Sequence, residues 1–443
     1  MAGGVFFNQN KIRPGAYINF KKDTGEINYN GSRGIVTFAC NLDWGAENTL
    51  ITLTDSDLVS GKSLAKVGLM SNDSGTKLIN AALANATVLK LFRLNYGGVK
   101  AAVTSGNLTA TAKYSGTFGN KIAILITSVG SVFEVNTYAD GYLVDTQRAS
   151  TVADLESNEF VDFSGTGALA AISASVLLTG GTNGSTAVAT AYAAYFTLLR
   201  ATRWTTLAIC NNGSTVNADT VTLIRELRNN EGKYVQAVLA NYSSADYEGI
   251  INNVNGCVIN GVSYTAEEFT TYVAGMTAGA DAFTSNTGKI IKGGTEIVGA
   301  LTNASIISGL KAGQFILSLN QDGAVKVEQD INSLHNYTDE LDYNFTKNKV
   351  LRVLDTIGSA IQGMWENSFL GKVANNADGR DLFKSTIITY LNDLQAKGAI
   401  ENFEGASDVT VSIGENIDAV EANIRIKPVD AMEFLYLTVN VVS

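Results

Sequence analysis

The most strongly patterned region of the chain reads VKVEQDINSLHNYT at 325–338, NKVLRVLDTIGSAIQGMW at 348–365 and GKVANNADGRDLFKSTIITYLNDLQAKGAIENF at 371–403. The first part has the character of a strand. The second predicts a helix, because its apolar residues recur at alternating steps of four and three and so occupy one face that must be buried. These residues are Val350, Leu354, Ile357, Ile361 and Trp365. Gly358 and Gly363 each cost this helix roughly 1 kcal/mol relative to Ala, and close backbone packing against another chain would compensate.

The third part predicts a second helix with defined ends. It opens at Asp378, with Asp381 three residues further on in a capping-box-like pair. It ends at Lys397 and Gly398, which supply a cation in the last turn and a left-handed C-cap. Its apolar face consists of Phe383, Ile387, Leu391 and Leu394.

Composition bounds the class of protein. A chain of 443 residues is too long for one core and predicts about three domains. Hydrophobic residues make up 45% and charged residues only 17%, a balance typical of self-associating, β-rich proteins. The formal charge is −10, and residues 311–443 carry −8 of it, with 11 Lys and Arg against 19 Asp and Glu. A net-acidic chain repels phosphate, which disfavours direct nucleic-acid binding.

Several kinds of site and location are also disfavoured. The cysteines Cys40, Cys210 and Cys257 are far apart, odd in number and without CxxC spacing, which predicts reduced thiols rather than disulfides or a zinc site. The sequence contains no apolar run of about 18 residues, so we expect no membrane insertion. The start MAGGVFFNQN has neither a basic n-region nor a long apolar h-region, so we expect synthesis and folding in a cytoplasm.

Local patterns predict an α+β and α/β multidomain fold with an all-β insertion. The predicted segments are an N-terminal arm at 1–20, an α/β domain at 21–96 and 182–310, an inserted β domain at 97–181, a C-terminal core domain at 311–427 and a C-terminal arm strand at 428–443. Turn residues at regular spacing separate the strands predicted at 108–114, 121–128, 132–139 and 142–147. In the α/β domain, a capping box of Thr265 and Glu268 opens one helix, and residues 247–254 predict another.

Both chain ends predict strands that need a partner edge. At 433–442, apolar and polar residues alternate, which gives the strand one apolar face. The apolar residues are Leu435, Leu437, Val439 and Val441. Near the other end lie Val5, Phe6 and Phe7, and Pro14 limits how far this arm folds back onto its own domain. Unpaired strands gain their hydrogen bonds most simply from a neighbour's sheet edge, so we predict a strand-exchange interface at these residues.

The sequence predicts no catalytic, cofactor or metal site. GTGALA at 165–170 matches GxGxxA, but no acidic residue follows before Asp219 to hold a ribose. The single histidine, His335, is not accompanied by a Gly-x-Ser-x-Gly elbow. Asp55 and Asp57 lack the remainder of a calcium-binding loop. We therefore expect a protein that is not an enzyme.

The chain resembles the C-terminal domain of contractile tail sheath proteins, from myophages and phage-tail-like particles, over three ordered runs. These runs are VEQDINSLH at 327–335, NKVLRVLD at 348–355 and NNADGRDLFKSTIITYLNDLQAKGAI at 375–400. RPGAYINF at 13–20 and a terminal strand after Pro428 are similar to the same family. The inserted β domain is similar to the outer, variable domain of sheath proteins.

This resemblance implies a structural subunit that forms stacked rings in a helical sleeve around the tail tube. Contraction of the sleeve would drive the tube through a bacterial envelope, with genome ejection if the particle is a phage. The implied partners are further copies of the chain, the tail tube protein, and the baseplate and tail terminator proteins. The implied location is the virion tail or a tailocin particle assembled in the bacterial cytoplasm.

A basic cluster at Lys347, Lys349 and Arg352 stands out in the acidic C-terminal domain. By the resemblance, these residues are candidate contacts to an acidic tube surface, and a solvated helix face is the plainer alternative.

Other functions stay open beside the phage sheath. The same sequence would suit the sheath of a headless tailocin or another contractile injection particle. An α/β enzyme would require polar residues clustered at strand ends. A surface-layer protein would share the Gly-, Thr- and Asn-rich composition and the self-association, but it would need an export signal.

Overall fold

The computed structural model describes residues 3–4, 16–17, 34–210 and 213–441, with side chains from residue 34 onward. The described residues divide into two compact units. The β-rich unit contains residues 37–83 and 87–203, and the α/β unit contains the described residues up to 36, residues 84–86 and those from 204 onward. The predicted combination of α/β layers with an all-β region is confirmed. The five predicted segment boundaries stay predictions.

Two antiparallel sheets dominate the β-rich unit. One has the order Tyr142–Ala149, Val132–Ala139, Ile122–Val129 and Val176–Leu177, and the other the order Val161–Gly165, Leu108–Ser115 and Lys100–Ser105. The core of this unit includes Trp44, Phe118 and Phe160, and the ring centroids of Trp44 and Phe118 lie 5.3 Å apart. The four strands predicted here from alternation are confirmed, each to within two residues at either end.

The rest of this unit is made of short elements. They are strands Ile35–Cys40, Leu50–Leu53 and Val88–Arg93, helices Asp55–Val59, Ser63–Val67, Lys77–Leu83 and Val188–Ala201, and 3-10 turns Ser74–Thr76, Thr117–Lys121 and Val152–Asp154. The Asp57 carboxylate accepts a hydrogen bond from Thr54 N at 2.9 Å and lies 2.9 Å from Lys66 Nζ. It therefore caps its helix and is already paired with a cation of the chain.

Four neighbouring parallel strands lie in the α/β unit. Their order is Thr206–Ala208, Gln236–Ala240, Ile250–Asn253 and Gln314–Phe315, and the helices of this part are Ser214–Asn229, Ala266–Gly279 and Asn303–Lys311. The predicted capping box of Thr265 and Glu268 is present at the start of the second helix. The prediction of a helix at 247–254 is wrong, because Ile250–Asn253 is a wholly buried strand. A short apolar run has no period that separates a buried strand from a helix.

Smaller elements surround this sheet. They are strands Gly256–Ile259, Val262–Tyr264 and Gly294–Val298, hairpin strands Leu317–Leu319 and Val325–Val327, the 3-10 turn Tyr343–Thr346, the short helix Gly405–Asp408, hairpin strands Val409–Ile413 and Val420–Ile424, and the backbone pair Gly3–Gly4 with Ala16–Tyr17. We call Asn348–Met364 the signature helix and Ala377–Ala396 the second helix. A π-helical turn, Trp365–Phe369, follows the signature helix.

The two helices bury the faces that their sequences predict. Val350, Leu354 and Ile357 of the signature helix are buried, Ile361 and Trp365 are half-buried, and all four predicted residues of the second helix are buried. The N-cap of the second helix is Asn376, whose side chain accepts from Gly379 N at 2.8 Å, so the predicted cap at Asp378 is wrong by two residues. Among the described residues, no helix combines the length and apolarity needed to cross a bilayer.

Candidate functional site

The C-terminal end of the chain carries the candidate functional site. Residues 434–441, which we call the free arm, make no hydrogen bond with any described residue and do not form the predicted strand. Leu435 is 85% exposed and Leu437 73% exposed. Phe434, Tyr436, Val439 and Val441 are exposed as well. A continuous exposed apolar segment of this kind marks an interaction surface.

The residues just before the free arm are firmly bound. Residues 428–433, the arm root, begin with a bridge between Pro428 and Ile400 and a hydrogen bond of 2.8 Å from Val429 N to Ala399 O. They end at Glu433, whose side chain is only 5% exposed. The arm therefore changes from bound to unbound within one residue.

Three side chains hold the Glu433 carboxylate. Lys347 Nζ lies 2.5 Å from Oε2, and Gln329 Nε2 donates to the same oxygen at 3.1 Å. Thr287 Oγ1 donates to Oε1 at 2.7 Å. Burial by itself would lower the pKa of Lys347, but the hydrogen bonds and charges of Glu433 and Tyr343 together outweigh it, so the pKa lies above its ordinary value. The Lys347 ammonium therefore keeps its charge at neutral pH.

The prediction of an outward-facing basic cluster is wrong. Lys347, Lys349 and Arg352 are 4, 7 and 0% exposed. A buried charge is tolerated only beside a counter-charge or hydrogen-bond partners. These three cations have such partners within their own chain. Side chains buried this deeply are not accessible to a tube protein.

Arg352 is paired with Asp330. Arg352 Nη2 lies 2.8 Å from Asp330 Oδ2 and donates to Thr284 O at 2.6 Å. Asn286 N and Asn348 Nδ2 also donate to the Asp330 carboxylate, each at 2.9 Å. Burial would raise the pKa of Asp330, but the charge of Arg352 and these donors hold it below the ordinary value.

Lys349 and Asp430 influence each other's pKa through their opposite charges. Burial lowers the pKa of the Lys349 ammonium, and the charge of Asp430 partly restores it. Burial also raises the pKa of Asp430, a change that Lys349 and Lys347 partly oppose. The arm root thus contributes two carboxylates to the basic end of the signature helix.

A second buried pair holds the middle of the signature helix. Arg228 Nη2 lies 2.7 Å from Asp355 Oδ1, and Arg228 Nη1 donates to Asp355 Oδ2 at 2.9 Å. This bidentate pair connects the signature helix to helix Ser214–Asn229 of the parallel layer. Two buried ion pairs, Arg352 with Asp330 and Asp355 with Arg228, therefore hold the signature helix in addition to its apolar face.

An open sheet edge lies in the same unit. Val409–Ile413 and Val420–Ile424 pair with each other, and neither pairs with a third strand among the described residues. Val409 is buried and Val411 packs against the cluster that includes Leu391 of the second helix. One face of the hairpin packs against the second helix. Its two outer backbone edges have no strand partner among the described residues.

The other sequence candidates have structural roles. His335 Nδ1 lies 2.8 Å from Ser333 O, two residues earlier in the chain. Gly165 ends a strand with no helix after it, and Gly167 lies against the Asn107 side chain, so GTGALA is no phosphate cradle. Burial raises the pKa of Cys257 to about 11, which keeps this thiol protonated at neutral pH. Among the described residues, no cluster of His, Cys, Asp and Glu has the geometry of a metal site.

The N-terminal candidates Val5, Phe6 and Phe7 lie outside the described residues. On either side of them, the backbones of Gly3–Gly4 and Ala16–Tyr17 pair in parallel.

Sequence reasoning missed Glu433 and Asp330 as partners of the basic cluster. A glutamate before an alternating apolar run carries no signal of burial, and it lies 86 residues from Lys347 in the chain. The one available signal was the basic cluster itself, because buried cations require nearby carboxylates, but the sequence did not indicate that this side of the helix is buried.

Comparison with known proteins agrees with the sequence resemblance along most of the chain. The phage tail sheath C-terminal domain matches residues 340–442, the central domain 186–333, the β-sandwich domain 79–183 and the domain III N-terminal region of tail sheath protein Gp18 residues 33–94. The solved sheath tail protein of Desulfitobacterium hafniense matches with a TM-score of 0.81 and 39% identity over 94% of this chain and 97% of its own. The chain belongs to the phage tail sheath protein family.

Further proteins are similar over the whole chain or part of it. The phage-like element PBSX protein XkdK of Bacillus subtilis is 31% identical over the full length of both chains. The tail sheath protein of Clostridium phage phiCD119 is 32% identical over 49% of this chain and 67% of its own. The sheath tail protein of Listeria innocua matches with a TM-score of 0.80 and 30% identity, over 91% of this chain and 94% of its own. The sheath of an extracellular contractile injection system, at 12% identity and a TM-score of 0.58, shares the fold over 98% of each chain.

Proposed function

We propose that this sheath protein is a structural subunit that assembles with other copies of itself into a helical sleeve around a tail tube. Contraction of the sleeve drives the tube through a bacterial envelope. The main support for the proposal is the free arm, an exposed apolar segment whose backbone is unpaired within the described part of the chain, next to a well-packed unit. The role is mechanical and not enzymatic.

The free arm gains most from a sheet edge. Complete burial of one large aliphatic side chain contributes roughly 1.5–3 kcal/mol. Leu435, Leu437, Val439 and Val441 alternate along the arm, so they occupy one face when it is extended. An added strand buries that face and pairs the backbone in one step.

The acceptor we propose is the hairpin Val409–Ile413 with Val420–Ile424 of a neighbouring copy. A two-stranded hairpin is marginal by itself, and its open edges gain hydrogen bonds from an added strand. The N-terminal residues Val5, Phe6 and Phe7 supply a second exchanged strand in this scheme. Exchange of both ends lets subunits rotate and separate radially during contraction without dissociation.

The energy for contraction is stored at assembly, in an extended arrangement that repacks into a shorter and wider sleeve. The further partners we propose are the tail tube protein, the baseplate and the tail terminator, with no direct contact to nucleic acid. The particle is a phage tail, where contraction leads to genome ejection, or a headless tailocin, assembled in the bacterial cytoplasm. The buried cluster at Lys347 is not part of the proposed tube contact.

The decisive experiment truncates the chain after Glu433 and co-expresses it with the tube protein and baseplate. We expect a folded subunit, with an unchanged melting temperature, that forms no sleeves in negative-stain micrographs. Truncation after Pro428 is unsuitable, because it also removes the buried partner of Lys347.

A matched pair of substitutions tests the strand itself. Leu437→Asp places a charge on the apolar face of the arm, and Thr438→Asp places the same charge on the opposite face. We expect the first to abolish sleeves and the second to leave them. Sleeves of normal length and contractility from the truncated chain would contradict the proposal.

A further inference from the structure

We infer that Glu433 anchors the C-terminal arm to its own subunit. When a neighbouring subunit binds the free arm and moves, the anchor passes that movement on to the signature helix. The inference rests on the proposed exchange of the free arm. It assigns to Glu433 a positioning role, and it divides the arm into a root that stays with its own subunit and a segment that moves.

The contacts place this division at one residue. Glu433 is the last residue of the described chain with a polar contact, and it has three of them, to Lys347, Thr287 and Gln329. The residue before it, Met432, is fully exposed, and residues 434–441 are exposed and make no hydrogen bond with any residue that the structure describes. The carboxylate thus holds the arm by a side chain that points inward between two outward-facing positions.

The anchor leads directly to the signature helix. Lys347 immediately precedes that helix, and Thr287 Oγ1, which donates to Glu433, also accepts from Asp330 N at 2.8 Å. Asp330 is in turn paired with Arg352, one turn into the helix. A pull on the free arm therefore reaches the first turns of the signature helix through two short, buried, charge-assisted routes.

Loss of the anchor would lengthen the arm. The preceding backbone hydrogen bond of the root is that of Val429 N with Ala399 O, and the charge interaction of Asp430 with Lys349 is the weaker contact between the two. Release of residues 430–433 adds four residues of slack, which amounts to about 13 Å of extended chain. The distance and direction between the two subunits joined by the free arm would then no longer be fixed. The free arm itself, and the strand pairing it makes, would be unaltered.

The first test measures the root in the isolated subunit. A nitroxide on Met432→Cys is compared in the native background, in Glu433→Gln and Glu433→Ala, and in Glu401→Gln, which alters the exposed pair of Glu401 with Lys427. We expect the rotational correlation time to fall at least threefold in Glu433→Ala and to stay unchanged in Glu401→Gln. The same label on Thr438→Cys should be mobile in every background. An immobile root in Glu433→Ala, in a subunit of native melting temperature, would overturn the inference.

A charge exchange separates anchoring from simple packing. Glu433→Lys leaves two cations together, and Lys347→Glu added to it restores an ion pair of reversed sense. We expect the double variant to recover the slow label motion that each single variant loses. No recovery, in a double variant that folds, would mean that the ion pair does not hold the arm.

The second test measures sleeves. With Glu433→Gln, which keeps the shape of the side chain, we expect sleeves to form with a broader distribution of ring spacings and to contract or break apart at lower temperature. Sleeves identical to the native ones, from subunits with a mobile root, would overturn the transmitting role. Failure of the proposed function is distinguishable, because it would appear as normal sleeves from the chain truncated after Glu433.

Discussion

The arm root and the free arm are neighbours in sequence and opposite in environment. In the root the Glu433 side chain is 5% exposed, whereas in residues 434–441 the leucines and valines are exposed. This inverts the usual relation between polarity and burial. The root makes its polar contacts with residues of its own chain, whereas the free arm has no partner among the described residues.

The arm root and the free arm are therefore stabilised by different kinds of interaction, although they belong to one segment. The root relies on specific ion pairs and hydrogen bonds, which define a single geometry. The free arm offers apolar area and backbone groups, which any compatible sheet edge could bind. The proposed exchange requires both, because the segment then needs a defined origin in its own subunit and an adaptable end for a neighbour.

Among substitutions that test the comparison of arm root and free arm, we expect Arg352→Met to change the free energy of unfolding most. Arg352→Met leaves Asp330 buried without its counter-charge, and loss of one partner of a buried pair costs about 3–5 kcal/mol. Urea denaturation of the isolated subunit measures it. Lys397→Met, which removes an exposed pair with Asp393, is the control and should cost under about 1 kcal/mol. Equal effects of the two substitutions would mean that the charges under the root do not stabilise it.

Two leucines test whether the free arm contributes to the fold of the single chain. Leu394→Ala removes a fully buried side chain of the second helix and should cost about 2–5 kcal/mol. The same substitution at exposed Leu437 should change the unfolding free energy by less than about 0.5 kcal/mol. Calorimetry on both variants checks this. A large loss for Leu437→Ala would show that the arm packs on its own subunit.

Acid should weaken the network beneath the root. The pKa of Asp330 is lower in the folded chain than its ordinary value of 3.8. The stability it contributes is therefore complete above that value and is lost as the pH falls through the folded pKa. The difference in urea midpoint between the native chain and Asp330→Asn should shrink as the pH falls from about 6 to about 3. A constant difference would contradict the assigned pairing.

The smallest effect concerns Gly363, where the sequence predicts contact with another chain. A Cβ built there meets only Asn367 Nδ2, at 4.0 Å. In the isolated subunit Gly363→Ala should therefore stabilise the signature helix by about 0.5–1 kcal/mol, seen as a higher melting temperature. Impaired sleeve assembly by the same variant would support close packing of a neighbour at this position. A lower melting temperature would mean that the site is already filled within the chain.

Local sequence patterns predicted the elements whose formation depends on nearby residues. The apolar faces of the signature helix and the second helix are buried as their period requires, and the capping box at Thr265 is formed. The strands from 108 to 149 follow from alternation and turn residues. In each case the forces that determine the element act between residues a few positions apart.

The sequence by itself also determined the family, because three ordered runs were sufficient for the resemblance, and it marked the C-terminal end as apolar and alternating. Only the tertiary structure decided that Lys347, Lys349 and Arg352 are buried, that residues 250–253 form a strand and that the arm is bound as far as Glu433. Pairs such as Lys347 with Glu433 join residues far apart in the chain, and whether a lysine faces water or a buried carboxylate is set by which segments the fold brings together.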